Sequence, residues 1–242
     1  MWFPARFAAR AVAIDDQPRG TLGQLAMRWS LRDLEEWLLI GSTLVEGSTL
    51  SEGQAREVLA GRTVSGHPVR EARELLNYRA GTAWLMERLD LSPYLSQDLV
   101  LDFHRRLLDG LAEDAGRFKN RQNYTLRSDG TRHDYVHPGR VEEALSLWLE
   151  RFNAPVEETD KLIPTGAAAT LYAEFQQIHP FEDGNGRVGR LLLAYWLHWK
   201  HGLAFRFVAA DRLEHLRAIE ASDLGDLVPL ISFIAARTLE ET

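Results

Sequence analysis

The sequence predicts an all-α protein, a helical bundle that contains one small β-hairpin. Apolar residues recur at spacings of three and four along most of the chain, whereas strictly alternating stretches are few. The exception lies between Gln122 and His137, where aromatic and β-branched residues flank the turn signal Asp129-Gly130. The chain shows no internal repeat and no long Pro/Gly/Ser linker. We therefore expect a hairpin inserted among helices.

Each helix is predicted from apolar residues that recur with the helical period. In chain order, their approximate ranges are Leu31–Leu44, Val69–Leu89, Ser96–Leu108, Val141–Phe152, Thr165–Ile178, Gly186–His201 and Asp226–Leu239. The N-terminal stretch that includes Asp15-Asp16-Gln17-Pro18-Arg19-Gly20 is expected to form an arm packed onto the body.

Composition excludes several classes of function. Without cysteine there is no disulfide framework, no thiolate zinc site and no thiol nucleophile. A net charge of −7 argues against general nucleic-acid binding, which needs a concentrated basic face. No run of about 18 apolar residues predicts a membrane span, and the N-terminus lacks the layout of a secretory signal. We expect a soluble cytoplasmic protein without nucleic-acid or membrane partners.

One polar segment lies between two apolar helical stripes. Leu171, Phe175 and Ile178 precede it, and Val188 and Leu191 continue the stripe beyond it. A proline at position 180 disfavours a helical conformation at the residue before it, so the first helix should end there. The sequence predicts a tight polar loop joining two core helices.

The residue types in this loop suit chemistry at a phosphate. The small residues of Gly184-Asn185-Gly186 let backbone N–H groups approach an anion at the positive end of the following helix. Arg187 and Arg190, three positions apart, would face the same anion. Asp183 could hold Mg²⁺ against phosphates, and His179 has the titration range of a general base.

Each of these features alone has an ordinary structural explanation. A His-Pro pair often ends a helix, Asp-Gly often forms a turn, and arginines at this spacing often line a solvated face. Their assembly in one short loop between buried helices favours a functional site.

The run His179-Pro180-Phe181-Glu182-Asp183-Gly184-Asn185-Gly186-Arg187-Val188-Gly189-Arg190 resembles the Fic motif, HPFx[D/E]GNGRxxR, at every specified position. A looser similarity extends from about Leu34 to Phe233. The resemblance implies the all-helical Fic fold with a β-hairpin flap. It also implies transfer of AMP from ATP to a Ser, Thr or Tyr hydroxyl of a target protein, with Mg²⁺ as cofactor.

The family's roles map onto matching positions of this chain. His179 would deprotonate the target hydroxyl, and Phe181 would be a buried anchor for the loop. Asp183 would bind Mg²⁺ that bridges the α- and β-phosphates. Arg187 and the backbone of Gly184, Asn185 and Gly186 would hold the phosphates, and Arg190 would engage the γ-phosphate.

The resemblance extends to the flap. The family pattern Gly-x-Tyr/Phe-Arg appears here as Gly116-Arg117-Phe118-Lys119, with lysine in place of arginine. The flap, Tyr124 to Val136, would bind the target protein as an added strand. Its last residues, Asp134, Tyr135 and Val136, are assigned to nucleotide binding.

A second motif lies near the N-terminus. Ser42, Glu46 and Gly47 match the Fic inhibitory pattern [S/T]xxxE[G/N]. Four positions apart on a helix, Ser42 and Glu46 would lie one above the other, with Gly47 as a C-cap. By this resemblance, which is to the class II subgroup, Glu46 pairs with Arg190 and inhibits the enzyme. The chain then divides into residues 1–65, an arm and inhibitory helix region, and residues 66–242, the Fic domain, packed as one compact unit.

Some alternatives stay open. Relatives often have a tyrosine pair and an asparagine in the segment near the nucleotide base, where this chain has His215, Leu216 and Asp223. UMP transfer therefore remains an alternative to AMP transfer. Removal of AMP with the help of Glu46 and a nucleotide-binding regulator without turnover are two others. Relatives often pair, which leaves a homodimer open.

Overall fold

The computed structural model describes residues 31–156 and 164–240, so the predicted N-terminal arm lies outside the described residues. Within those residues the chain forms ten α-helices. They are α1 (Leu31–Leu34), α2 (Ile40–Val45), α3 (Glu52–Leu59), α4 (Val69–Leu91), α5 (Gln97–Leu107), α6 (Val141–Asn153), α7 (Pro164–Ile178), α8 (Asn185–His201), α9 (Arg212–Asp223) and α10 (Val228–Ala236). The prediction of a mostly helical fold is confirmed.

The predicted hairpin is present. Strand β1 (Tyr124–Leu126) pairs antiparallel with β2 (Arg132–Asp134), and Thr125 lies opposite His133. Gly130 in the connecting turn has a φ of 80°, a conformation that glycine adopts without steric cost.

The predicted helix Asp226–Leu239 is wrong at both ends. Helix α10 covers only Val228–Ala236, and the next residues form β4 (Thr238–Glu240). This strand pairs antiparallel with β3 (Leu203–Phe205), which follows α8. The pairing was not predicted, because strand formation here depends on a partner more than thirty positions away along the chain rather than on local pattern.

Two helices were missed. Helix α3 begins with a capping box, in which Ser51 Oγ accepts from Gln54 N–H at 3.3 Å and Gln54 Oε1 accepts from Ser51 N–H at 2.9 Å. The Ser-x-x-Gln spacing is a recognised signal that could have found it. Helix α9 exposes Leu213 and Leu216 to solvent, which weakens the apolar stripe that would have predicted it.

The predicted helix Leu31–Leu44 is interrupted. Helices α1 and α2 are joined by one π-helical segment, Glu35–Leu39. Helix α2 lies tightly against the chain that follows β3, because a Cβ on Gly41 would collide with the Phe207 carbonyl. This contact fixes the N-terminal helices beside the loop that joins α7 and α8.

Helices α7 and α8 form the centre of the core. Most side chains of α8 are buried, from Val188 to Leu197, and they pack with Tyr172, Phe175 and Ile178 of α7. The loop between these two helices is therefore held at both ends by the core. In the part of the chain that the structure describes, no helix is both long and apolar enough to span a membrane.

Candidate active site

The loop between α7 and α8 begins at a strained residue. His179 follows the last residue of α7 and has a φ of 47°, an unusual value for a residue with a side chain. Its N–H still donates to the Phe175 carbonyl at 3.0 Å, which ends the helix. Left-handed backbone of this kind costs of order 1–3 kcal/mol and persists where the surroundings enforce it. His179 therefore marks the end of α7 and the start of the loop.

The imidazole of His179 has a defined tautomer. Its Nδ1 lies 3.2 Å from the Gln176 carbonyl oxygen, and because a carbonyl only accepts, Nδ1 must bear the proton. Burial lowers the pKa of His179 to about 4, the bond to Gln176 opposes this shift, and the nearby Lys119 charge adds to it. The ring is therefore neutral near pH 7, with the lone pair of Nε2 available to accept a proton.

The side chain of Asn185 fixes the shape of the loop. Its Oδ1 accepts from Phe181 N–H at 3.0 Å, and its Nδ2 donates to the Phe181 carbonyl at 2.9 Å. The Phe181 ring is fully buried and stacks on His104, with 3.6 Å between the ring centroids. The amide of Asn185 thus serves the loop and not a ligand.

The N-terminus of α8 is a candidate anion site. Gly184 caps the helix with a φ of 82°, and its N–H donates to Asp183 Oδ1 at 2.6 Å. Arg187 Nη2 lies 3.3 Å from the same oxygen. The Arg187 side chain is only 3% exposed, yet its Nε and Nη1 have no hydrogen-bond partner within the described residues. Glu74 Oε2 lies 3.8 Å from Nη1, close enough for an ion pair but too far for a hydrogen bond. Buried guanidinium donors without a hydrogen bond fit a bound anion.

Arg190 is fully buried and points toward α2. Its Nε donates to Ser42 Oγ at 2.7 Å, and its Nη2 donates to the Ser42 carbonyl at 3.2 Å and to Glu46 Oε1. The Glu46 carboxylate also lies over Gly186, since a Cβ at that position would collide with Glu46 Oε1. Glu46 therefore occupies part of the space in front of the first turn of α8.

The Glu46 carboxylate is ionised in this position. Burial alone would raise its pKa, but the charge and hydrogen bond of Arg190, followed by the charge of Arg187, hold the pKa of Glu46 below its ordinary value. The residue caps the C-terminal end of α2, and Gly47 follows with a φ of 102°. Glu71 then accepts from Ser48 Oγ and Thr49 N–H, both at 2.8 Å. These contacts fix the chain on both sides of Glu46.

The segment before the hairpin is bound to the loop. Lys119 N–H donates to the Pro180 carbonyl at 2.9 Å, and Lys119 Nζ donates to Asn123 Oδ1 at 2.6 Å. Asn123 Nδ2 in turn donates to the Phe181 carbonyl at 3.0 Å. Burial lowers the pKa of Lys119 to about 8.

The hairpin itself reaches from the loop to α9. Tyr135 stacks on His179, with 3.8 Å between ring centroids and 10° between planes. At the tip, Ser128 Oγ donates to Glu220 Oε1 at 2.6 Å. His133 Nε2 lies 2.7 Å from Gln177 Oε1 and 3.4 Å from Asp223 Oδ1.

Comparison with known families agrees with this geometry. Residues 94–197, which contain the whole loop and the hairpin, match the model of the Fic/DOC family. The chain belongs to the Fic/DOC family. It is 31% identical over 215 residues to protein adenylyltransferase fic-1 of Caenorhabditis elegans, an alignment that covers 87% of this chain and 41% of that protein. It is 28% identical to protein adenylyltransferase Fic of Drosophila mojavensis, over 79% of this chain and 37% of that one. The Fic/DOC chain thus spans less than half the length of these curated relatives.

Solved structures show the same fold. A Fic family protein from Desulfovibrio desulfuricans superposes with a TM-score of 0.68 and 27% identity, over 85% of this chain and 63% of that one. A fragment of Fic-1 from C. elegans superposes with a TM-score of 0.69 and 29% identity, over 84% of this chain and 62% of that one. A Fic domain protein from Bacteroides thetaiotaomicron gives 0.73 at 24% identity, which speaks for the fold alone.

Most residues that the sequence assigned to the Fic site lie together. The exposed side chain of Asp134 instead pairs with Arg132, and Val136 contributes its N–H to the Gln177 carbonyl at 3.1 Å. Among the two residues at the position of the tyrosine pair, His215 is buried against Tyr172 and Phe233, whereas Leu216 is 47% exposed. Only Leu216 is therefore accessible to a ligand.

Sequence reasoning missed His104, which contacts the loop from α5. No local motif surrounds it, and only its apolar neighbours in α5 indicated that this side of the helix is buried.

The carboxylate of Asp183 fits a metal ion that is also bound by a phosphate ligand. In the described ranges no three His, Cys, Asp or Glu side chains are grouped to hold a metal. The Asp183 side chain is 51% exposed and lies beside the anion site. Mg²⁺ is commonly held by one or two carboxylates together with phosphate oxygens and water. The residues present therefore suit Mg²⁺ that arrives with a polyphosphate.

Proposed function

We propose that this Fic/DOC protein is a protein adenylyltransferase that moves AMP from ATP to a Ser, Thr or Tyr hydroxyl and is restrained by Glu46. One observation carries this proposal. A neutral imidazole, with Nε2 free to accept a proton, starts the same short loop that ends in a buried anion site. The names of the relatives from C. elegans and D. mojavensis support the same reaction.

The first step is binding of the triphosphate at the start of α8. The N–H groups there and the helix dipole favour negative charge. Arg187 supplies the buried donors Nε and Nη1, which make no hydrogen bond among the described residues. Arg190 adds a second guanidinium once it is released from Glu46. Together they stabilise the charge that accumulates on the phosphates during transfer.

His179 then accepts the proton of the attacking hydroxyl. The hydroxyl oxygen forms a bond to the α-phosphorus, the bond from that phosphorus to the bridging oxygen breaks, and pyrophosphate leaves. The proton passes to Nε2 of His179, which the Gln176 carbonyl keeps in the correct tautomer. The product is AMP in phosphodiester linkage to the target.

Asp183 is the residue proposed to hold Mg²⁺ here. When bound, the ion neutralises phosphate charge and favours departure of pyrophosphate. Asp183 is positioned for this by its own neighbours, because Gly184 N–H and Arg187 both bind Oδ1.

Glu46 competes with the nucleotide for Arg190. Its ionised carboxylate holds the guanidinium against Ser42 and covers Gly186. A triphosphate that cannot engage Arg190 would bind in an unproductive position. The proposed resting state is therefore inhibited.

The flap supports docking of a protein target. Tyr124 and Leu126 of β1 are 52% and 63% exposed, which is high for large side chains. A target segment could pair with this exposed strand through main-chain hydrogen bonds and present its hydroxyl to His179.

The test uses four proteins: wild type, Glu46→Gly, His179→Ala and Glu46→Gly/His179→Ala. Each is incubated with Mg²⁺ and ATP, or with UTP, GTP or CTP, and self-modification is followed by intact mass. We expect a gain of one or more AMP units from ATP in Glu46→Gly alone, at least tenfold faster than in wild type. A mass gain from UTP instead would support UMP transfer.

Removal of AMP is the second candidate, because Glu46 is ionised and 33% exposed beside the anion site, where it could orient a water molecule. A peptide that bears AMP on threonine separates the two. Hydrolysis by wild type that is lost in Glu46→Gly would favour removal, and the absence of both reactions in all proteins would overturn an enzymatic role at this site.

A further inference from the structure

His104 bridges three parts of the site from the inside. It lies on α5 with 1% of its surface exposed. Its Nε2 is 3.0 Å from the Asp183 carbonyl oxygen, and its Nδ1 is 2.9 Å from the Gly116 nitrogen. Its ring stacks on Phe181 at an angle of 5°. It therefore contacts the loop on both sides of Glu182 and also the turn that leads to the hairpin.

These contacts allow only one tautomer. A carbonyl oxygen accepts, so Nε2 must donate to Asp183, and a backbone N–H donates, so Nδ1 must accept from Gly116. Both nitrogens of the neutral ring are then satisfied. A protonated ring would set a second donor against Gly116 N–H, which this arrangement excludes.

The backbone bond from His104 acts on the residue that the proposed reaction needs. The half-exposed Asp183 carboxylate accepts from Arg187 and from Gly184 N–H through one oxygen. Because Gly184 N–H belongs to the same peptide group as the Asp183 carbonyl that His104 binds, the position of the carboxylate depends on this main chain. The next residue, Gly184, has a left-handed conformation. A Cβ added at this position would lie only 3.3–3.4 Å from Leu107 and His104. The imidazole thus fills the space behind the turn and anchors it.

We propose that His104 is a positioning residue that fixes the main chain of Asp183, and through it the carboxylate that binds Mg²⁺. The inference rests on the proposed function, because it assigns His104 a part in binding of the Mg²⁺–ATP pair. His104 contacts neither ATP nor the target. Its effect should therefore appear in the coupling between Mg²⁺ and nucleotide and not in nucleotide binding as such.

Two near-isosteric replacements separate the two bonds. In His104→Gln, the side-chain Nε2 reaches roughly the place of the imidazole Nε2 and can still donate to Asp183. In His104→Asn, the shorter Oδ1 replaces Nδ1 and can accept from Gly116, but nothing reaches Asp183. His104→Phe keeps the stacking on Phe181 without either bond.

The experiment measures ATP binding by calorimetry, in EDTA and over a series of Mg²⁺ concentrations, with every variant made in the Glu46→Gly protein. We expect the Mg²⁺ concentration at half-maximal enhancement to stay within about threefold in His104→Gln. It should rise roughly five- to tenfold in His104→Asn and His104→Phe, the effect of one lost hydrogen bond. ATP affinity in EDTA should change less than about twofold in all three.

A matched control reports loss of stability alone. Asn153→Ala removes bonds to Leu95 at the end of α6, away from the loop, and should lower the melting temperature without changing the Mg²⁺ response. Nitrogen-15 NMR of the parent at pH 7.5 should find the proton of His104 on Nε2.

The outcomes are distinct. Equal Mg²⁺ shifts in His104→Gln and His104→Asn, parallel loss of ATP affinity in EDTA, or a proton on Nδ1 would each overturn the positioning role while leaving the proposed function intact. A Glu46→Gly parent whose ATP binding does not respond to Mg²⁺ would overturn the proposed function, and the role of His104 with it.

Discussion

The ring of Tyr135 lies almost parallel to the ring of His179, 3.8 Å away. Tyr135 follows the second strand of the hairpin, and its N–H binds the Asn123 carbonyl at 3.3 Å. The hairpin therefore helps to fix the orientation of the imidazole. Because the stacking covers a face of the ring, the lone pair of Nε2, which lies in the ring plane, stays available.

Replacement of Tyr135 tests this contact. Tyr135→Phe keeps the aromatic face, and we expect self-modification within about twofold of the Glu46→Gly parent. Tyr135→Leu loses the stacking, which is worth about 0.5–1.5 kcal/mol, and should slow kcat roughly three- to tenfold. Tyr94→Leu is the matched control, since Tyr94 is exposed between α4 and α5, outside both the hairpin and the loop. Equal losses in Tyr135→Phe and Tyr135→Leu would refute a role for the aromatic face.

Ser42 tests how Glu46 is held. Ser42→Ala leaves the buried Arg190 Nε without its acceptor. This change should weaken the binding of Arg190 to α2 and Glu46 by about 1–3 kcal/mol. We expect self-modification between that of wild type and Glu46→Gly, measured by intact mass under identical conditions. Thr43→Ala is the control, because Thr43 Oγ1 donates to the Leu39 carbonyl within the helix and not to Arg190. A Ser42→Ala protein as inactive as wild type would contradict this mechanism.

Gly186 and Glu46 should be coupled in stability. A methyl group at position 186 collides with Glu46 Oε1 and lies 2.9 Å from Arg190 Nη1. Gly186→Ala should therefore reduce the free energy of unfolding by about 1–3 kcal/mol in wild type. The loss should be smaller by at least about 0.5 kcal/mol in Glu46→Gly, where the carboxylate is absent. Urea unfolding of the four proteins gives the coupling directly, and strictly additive effects would show that the two positions do not touch.

Acid should destabilise the fold through its buried histidines. Burial, together with the charges of Arg190 and Arg237, lowers the pKa of His215 to about 3. In the unfolded chain the pKa of this histidine is about 6.5. Below that pH the unfolded chain binds a proton at His215 and the folded chain does not, so the stability present near pH 7 is lost as the pH falls. At pH 5 this effect of His215 alone should lower the free energy of unfolding by about 2 kcal/mol.

Melting temperatures between pH 7.5 and pH 5 measure this effect. The decrease should be smaller in His215→Gln than in wild type, because glutamine cannot titrate. Identical pH profiles for the two proteins would mean that His215 has the same pKa in the folded and the unfolded chain.

Local pattern was sufficient where one segment defines its own structure. The loop that begins at His179 was predicted between two helices because Pro180 and the glycines act on their immediate neighbours. The Asp129-Gly130 turn likewise indicated its hairpin. The antiparallel pairing of Leu203–Phe205 with Thr238–Glu240 was not predicted, because each segment is too short to show a strand pattern without the other.

The sequence alone determined which chemical groups this protein has at its loop: an imidazole, a carboxylate, small residues for an anion and two guanidinium groups. Only the tertiary structure decided what they face. Glu46 and Arg190 are 144 positions apart, and their contact exists because α2 is docked beside α8. Tertiary packing likewise brings His104 to the Asp183 carbonyl and stacks Tyr135 on His179. Local pattern fixes backbone conformation, whereas packing of distant helices fixes the distances between side chains, and those distances set the protonation, orientation and access on which the proposed reaction depends.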